Sequence, residues 1–171
     1  MDTRLEQAKR PVSPTLAGPY GHPFHPILVT VPIGSWVCSL VFDIASHVVD
    51  DPGFLVRGSR WLIAIGVLGA LAAAMVGFLD FLGIPAGTAA FRTGLLHMTL
   101  NLLITAAFAA NWAWRSGNDT SHGVPWGQIA LSAVSLAALA VSGALGGKLA
   151  YHFGVRVADE ATQAEGYRKE D

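Results

Sequence analysis

An all-α integral membrane bundle of four transmembrane helices, running up, down, up and down, is the fold class this sequence predicts. Composition, charge placement and run length predict it. The 171 residues are 52% hydrophobic and only 13% charged, with a mean hydropathy of +0.45, whereas soluble domains carry about a quarter charged residues. The charges gather in residues 1 to 10, 50 to 60 and 156 to 171. They leave four apolar runs, about 26 to 49, 61 to 82, 95 to 114 and 127 to 152. Each run has about the 20 residues that span a hydrocarbon core of about 30 Å. Lipid offers the backbone no hydrogen bonds and the runs lack the alternation of barrel strands, so helices are expected.

Residues 1 to 20 read as a polar N-terminal tail, with Pro11, Pro14 and Pro19 and no signal-peptide core, so the first span is retained. Gly21-His22-Pro23-Phe24-His25-Pro26 leads into that span. Pro26 suits the first helical position, where its missing N–H costs nothing, and His25 then stands at the helix entrance. Pro32 cannot donate to the carbonyl of residue 28, which predicts a bend beside His25. Cys38 is the lone cysteine. It can form no internal disulfide or four-thiolate cluster, and a packing role is expected. Asp43 and His47 are four apart, share a face and can form a hydrogen-bonded pair, with Asp50, Arg57 and Arg60 just beyond, so this end reads as an interfacial anchor, with a second site as the alternative.

The second run carries small residues at Gly66, Ala70, Ala73, Ala74 and Gly77, the spacing that lets helix backbones approach closely in lipid. That stripe leads to Asp80, which should face the bundle. Gly83, Pro85 and Gly87 end the helix. The third run soon reaches His97 and Asn101, again four apart on one face, and closes on Trp112 and Trp114, suited to the headgroup zone. Asn118-Asp119-Thr120 matches a glycosylation sequon that chance also supplies, and the loop to Pro125 and Trp126 reads as a connector. The fourth run has a second small-residue ladder at Ala138, Ser142, Gly143, Gly146 and Gly147 and finishes at Lys148, Tyr151, His152 and Gly154, a suitable C-cap. The transmembrane domain is drawn as 21 to 155, and 156 to 171 reads as a polar C-terminal tail.

In such a bundle the start of the first helix, the end of the second, the start of the third and the end of the fourth share one membrane face. His25, Asp80, His97 with Asn101, and Tyr151 with His152 thereby gather within about two turns of that face. Imidazole is the commonest metal ligand and an axial ligand of haem, and a carboxylate can complete a metal shell or orient a histidine. His25, Asp80, His97 and His152 are therefore candidate metal ligands. His25, His97, Asn101 and Tyr151 are candidate cofactor contacts, with Arg92 or Lys148 near the propionates of a b-type haem. The same residues at a wet helix end can equally stitch helices together. His22 and His122 are expected to be flanking residues. Eight Lys and Arg flank this face and three, Arg57, Arg60 and Arg115, the other, which predicts both termini in the cytoplasm. A net charge of -1 excludes a nucleic-acid interface.

His25-Pro26, Pro32-Ile33-Gly34, Asp43, Gly77 with Asp80, His97 with Asn101, and Gly146-Gly147 followed by Tyr151 and Gly154-Val155 resemble a bacterial membrane family, domain-of-unknown-function 2231, over roughly residues 21 to 157. The resemblance implies a multi-pass protein of the bacterial inner or plasma membrane and no established activity. Some members look like fusions to Rieske-type iron-sulfur domains, which implies a redox setting. These 171 residues contain no such domain, so a cluster would sit on a separate redox partner. In the family's last motif a histidine often directly precedes the glycine. Here Phe153 stands there and His152 lies one residue earlier, about 100° around a helix.

The expected function is a membrane protein holding a b-type haem or a transition metal through histidines near the cytoplasmic face, in electron transfer, with no catalytic residue assigned. The alternatives are a membrane scaffold or partner-binding subunit with a structural polar cluster, and then a small transporter, disfavoured by a midplane nearly free of charge. Lipid is the expected partner, with room for a homo-oligomer.

Overall fold

The computed structural model describes residues 3–167. Its helices are α1 (Thr3–Lys9), α2 (His25–Leu28), α3 (Thr30–Ala45), α4 (Gly53–Leu82), α5 (Ala89–Trp114), α6 (Trp126–Gly147) and α7 (Glu160–Glu165). Four helical stretches are long and apolar enough to cross a membrane: His25–Ala45, Gly53–Leu82, Ala89–Gly117 and Trp126–His152. Among the described residues no strand forms, and one isolated bridge pairs Ala17 with Pro23. Arg168 and Lys169, counted in the charge balance, lie outside the described residues.

The first span breaks into α2 and α3 at Val29, next to the carbonyl of Leu28 that Pro32 leaves without its donor. α4 begins at Gly53, earlier than the charge pattern implies, because Arg57 and Arg60 ride on its first two turns. Thr88 caps α5 by accepting the Phe91 amide at 3.0 Å. The last span closes in a π turn over Lys148–His152, where Phe153 N donates to Lys148 O at 3.1 Å. Gly154, at φ +68°, then reverses the chain as a left-handed cap, with Val155 N donating back to Leu149 O at 2.9 Å.

Small residues set how closely the helices pack. A Cβ on Gly66 would overlap the Trp36 indole, and one on Gly69 would stand 2.7 Å from Val31. The α3–α4 seam is therefore closed by side chains of one helix resting on bare backbone of the other. Trp36 lies in the centre, stacked on Phe108 at 4.2 Å between ring centroids and surrounded by Ile63 and Ile104. Its indole N–H donates to Ile63 O at 3.3 Å, so the core's largest ring leaves no polar atom unmet.

α1 does not float free of the bundle. Ala8 is buried and its carbonyl accepts Arg156 N at 3.0 Å, while Lys9 Nζ donates to Ala158 O at 3.3 Å. The two tails thus meet each other at the bundle end that carries His25. Cys38 faces outward instead of packing inside, since the inner face of α3 is taken by Pro32, Trp36, Ser39 and Asp43.

Candidate functional site: an imidazole pair at one end of the bundle

His25 and His97 come together. Their ring centroids are 6.3 Å apart and the planes cross at 85°. His25 stands where the chain enters α2, and its Nδ1 bonds the carbonyl of Ala73 on α4 at 2.9 Å. His97 stands two turns into α5, and its Nδ1 bonds the carbonyl of Ser142 on α6 at 2.8 Å. A carbonyl only accepts, so each Nδ1 carries the proton and each Nε2 keeps its lone pair.

Glycines make the room. A Cβ on Gly77 would stand 2.7 Å from His25 Nδ1, and one on Gly146 would stand 3.0 Å from His97 Cε1. The small-residue ladders of α4 and α6 therefore serve two ends at once, close helix packing and clearance for two rings. Asn101 spends its amide protons on His97 O at 2.8 Å and on Ser142 Oγ at 2.7 Å. It fixes the α5–α6 seam around His97 and comes no nearer His97 Nε2 than 3.3 Å. No hydrogen bond engages His25 Nε2 among the described residues.

None of the remaining candidates hydrogen-bonds either ring among the described residues, although Asp80 stands within electrostatic reach of His25. Asp80 pairs with Arg156, Nε to Oδ1 at 2.8 Å, and the two side chains are 14% and 5% exposed. Arg156 Nη1 also donates to Lys9 O at 3.4 Å, so the carboxylate ties the end of α4 to both tails. Tyr151 is 92% exposed and His152 is exposed beside it, because the π turn carries both around to the outer side. Lys148 lies over the Phe153 ring at 5.4 Å and Arg92 is exposed. Among the described residues no three His, Cys, Asp or Glu side chains form a group able to hold a metal ion. His22 bonds Pro19 O at 2.9 Å and His122 lies exposed in the opposite loop near Asp119 at 3.3 Å.

The far end holds a cluster that the sequence reading missed. Asp43 is fully buried and does not pair with His47. It takes a two-pronged ion pair from Arg115, Nη1 to Oδ1 and Nη2 to Oδ2, both at 2.7 Å. Ser59 adds a short hydrogen bond to Asp43 Oδ1. Arg115 Nε donates to Asn111 Oδ1 at 3.1 Å and Nη2 to Ser132 Oγ at 3.3 Å. All four spans thus contribute to one dry polar knot. His47 instead bonds Val124 O at 2.9 Å and stacks on Trp126 at 4.4 Å. The signal available in the sequence was that residues 43 and 115 both close their helices at the same end of an up-down bundle, but Arg115 reads as a flanking charge.

The model of the family described as predicted membrane protein (DUF2231) matches residues 21–159. The chain belongs to that family. The match takes in every bundle helix and both polar clusters, and leaves outside it α1 and most of the tail after Gly154. No curated protein and no solved structure matches the chain. The DUF2231 fold thus stands here on its own geometry, as a multi-pass membrane bundle with an imidazole pair at one end and a neutralised ion pair at the other.

Proposed function

We propose that this DUF2231 protein binds a b-type haem, or failing that a transition-metal ion, between His25 and His97 and passes electrons within the membrane. The observation that carries the reading is the pair of Nε2 lone pairs that remain when both Nδ1–H groups are anchored to helix carbonyls, that of His25 without a partner among the described residues and that of His97 met only by the Asn101 amide at 3.3 Å. A carbonyl behind an imidazole fixes its tautomer and raises its basicity, the usual support for a metal-bound histidine. The two rings, 6.3 Å apart between centroids, are the residues that would hold the group. Two nitrogens alone hold a bare ion poorly, whereas haem carries donors of its own and would need only His25 and His97 from the protein. The donor set therefore favours haem over a naked metal. Bound haem would supply one-electron chemistry. The chain's part is to hold both rings by Ala73 and Ser142 and to exclude water with the ring of helices. The basic flanks favour the cytoplasmic face for this end.

Purified in detergent, the protein should show a Soret band or stoichiometric metal, and His97→Ala should remove it. Absence of both signals sinks the proposal.

A structural role is the second reading, and the Asp80–Arg156 pair favours it, since there a polar group at the same end ties α4 to the two tails. Under that reading His97→Asn lowers stability and leaves every spectrum unchanged.

A further inference from the structure

At the end of the bundle away from the histidines, Arg57 and Arg60 project from the first two turns of α4 toward the loop after α5. Arg57 Nη1 donates to Thr120 Oγ1 at 3.3 Å, and Arg60 Nη2 donates to Ser116 Oγ at 3.1 Å. Beside these contacts lies a cavity of about 60 Å³, lined by both arginines, Arg115, Ser116, Asn118 and Thr120. Arg115 brings no free charge, because Asp43 neutralises it. Arg57 and Arg60 form no ion pair among the described residues. Nε of Arg60 is buried and has no acceptor there, a condition that interiors avoid unless an ion, ligand or water supplies the missing partner.

The donors select the guest. Two guanidinium groups, each offering planar pairs of N–H bonds, with two hydroxyls between them, match the oxygens of a phosphate. The volume admits one such oxyanion and excludes a whole headgroup. Depth selects the source. Trp61, Trp112, Trp114 and Trp126 ring this end of the bundle and are exposed, as indoles are at the level of lipid headgroups. The Arg60 guanidinium lies over the Trp112 ring at 5.2 Å from its centroid, which fixes the cation at that level. We infer that this pocket binds the phosphate of an anionic phospholipid, with the acyl chains running down the outer faces of α4 and α5. The site is independent of the histidine pair.

The test is a binding titration followed by native mass spectrometry on the full chain, delipidated in detergent, with phosphatidylglycerol, diacylglycerol and inorganic phosphate as probes. One phosphatidylglycerol per chain is expected to bind, diacylglycerol is expected not to, and Arg57→Gln with Arg60→Gln should weaken phosphatidylglycerol at least tenfold. Inorganic phosphate that binds alone, with phosphatidylglycerol failing to bind, overturns the lipid source and leaves a free-anion site. Phosphatidylglycerol affinity unchanged in the double variant overturns the site itself. Should the double variant misfold, Arg60→Lys and Thr120→Val decide. The first keeps the charge and loses Nε–H, the second keeps both cations and loses a hydroxyl, and severalfold weakening is expected from each. Unchanged affinity in both overturns the site.

Discussion

The two ends of this bundle use polar residues in opposite ways. In the Asp43–Arg115 cluster every guanidinium nitrogen of Arg115 has an acceptor and both carboxylate oxygens of Asp43 are taken. At the His25–His97 end each ring spends Nδ1 on a helix carbonyl, leaving Nε2 of His25 without a partner among the described residues and Nε2 of His97 with only the Asn101 amide at 3.3 Å. A satisfied cluster can only hold helices, because it has no valence left for a guest. An unsatisfied one holds helices and still offers lone pairs, which is where chemistry becomes possible. The difference separates a knot from a site more sharply than residue type, since Asp and Arg would by themselves look the more functional pair.

Breaking the knot should give the largest effect. Arg115→Met strands a carboxylate that is fully buried, and a loss of about 3–5 kcal/mol is expected, read as a fall in the thermal midpoint in detergent. Asp43→Leu combined with Arg115→Met should be more stable than Arg115→Met alone, because the unpaired charge is gone. Were the single variant as stable as the parent, the knot would not be holding the helices.

Overfilling the seam comes next. Gly66→Ala pushes a methyl into the Trp36 ring and should cost about 1–3 kcal/mol, measured by the same melt. His97→Asn should cost less, about 1 kcal/mol, since interhelical hydrogen bonds in lipid are individually weak. The contrast between Arg115 and His97 is the point: large stability loss without spectral change at one end, small stability loss with loss of the Soret band at the other.

The smallest effect belongs to the loop beside the knot. The Ser121 amide and then its hydroxyl, with His122 behind them, hold the Asp119 carboxyl below its ordinary 3.8. A carboxyl lower in the folded state stabilises the loop above about pH 4 and loses that contribution as pH falls through the lowered value. Protection of the loop amides, measured as exchange relative to unstructured amides at the same pH, should therefore fall below pH 4 in the parent and change less with pH in Asp119→Asn, while global unfolding stays put.

How much of this was legible depended on what kind of signal each residue gave. Span number and helical type follow from long apolar runs, and the kink follows from Pro32, whose missing N–H is a local fact. That His25 and His97 share a level follows from topology and length. Their two anchors do not, because Ala73 and Ser142 contribute backbone carbonyls, and a carbonyl has no identity in a sequence. Asp80 reads as a candidate ligand, and the structure pairs it with Arg156, a residue that reads as tail. Arg115 looked like a flank and proved to be the centre of the dry knot. Both surprises involve an arginine at a helix end, where a side chain long enough to point outward or inward carries no mark of its choice.

The sequence by itself determined a four-span helical bundle, because lipid leaves an apolar chain of this length few other ways to satisfy its backbone. It also determined which residues stand near each membrane face. Only the tertiary structure decided which polar groups neutralise each other and which are left over. Partnership depends on helix rotation and neighbour choice to within a hydrogen bond's length, and apolar runs specify neither.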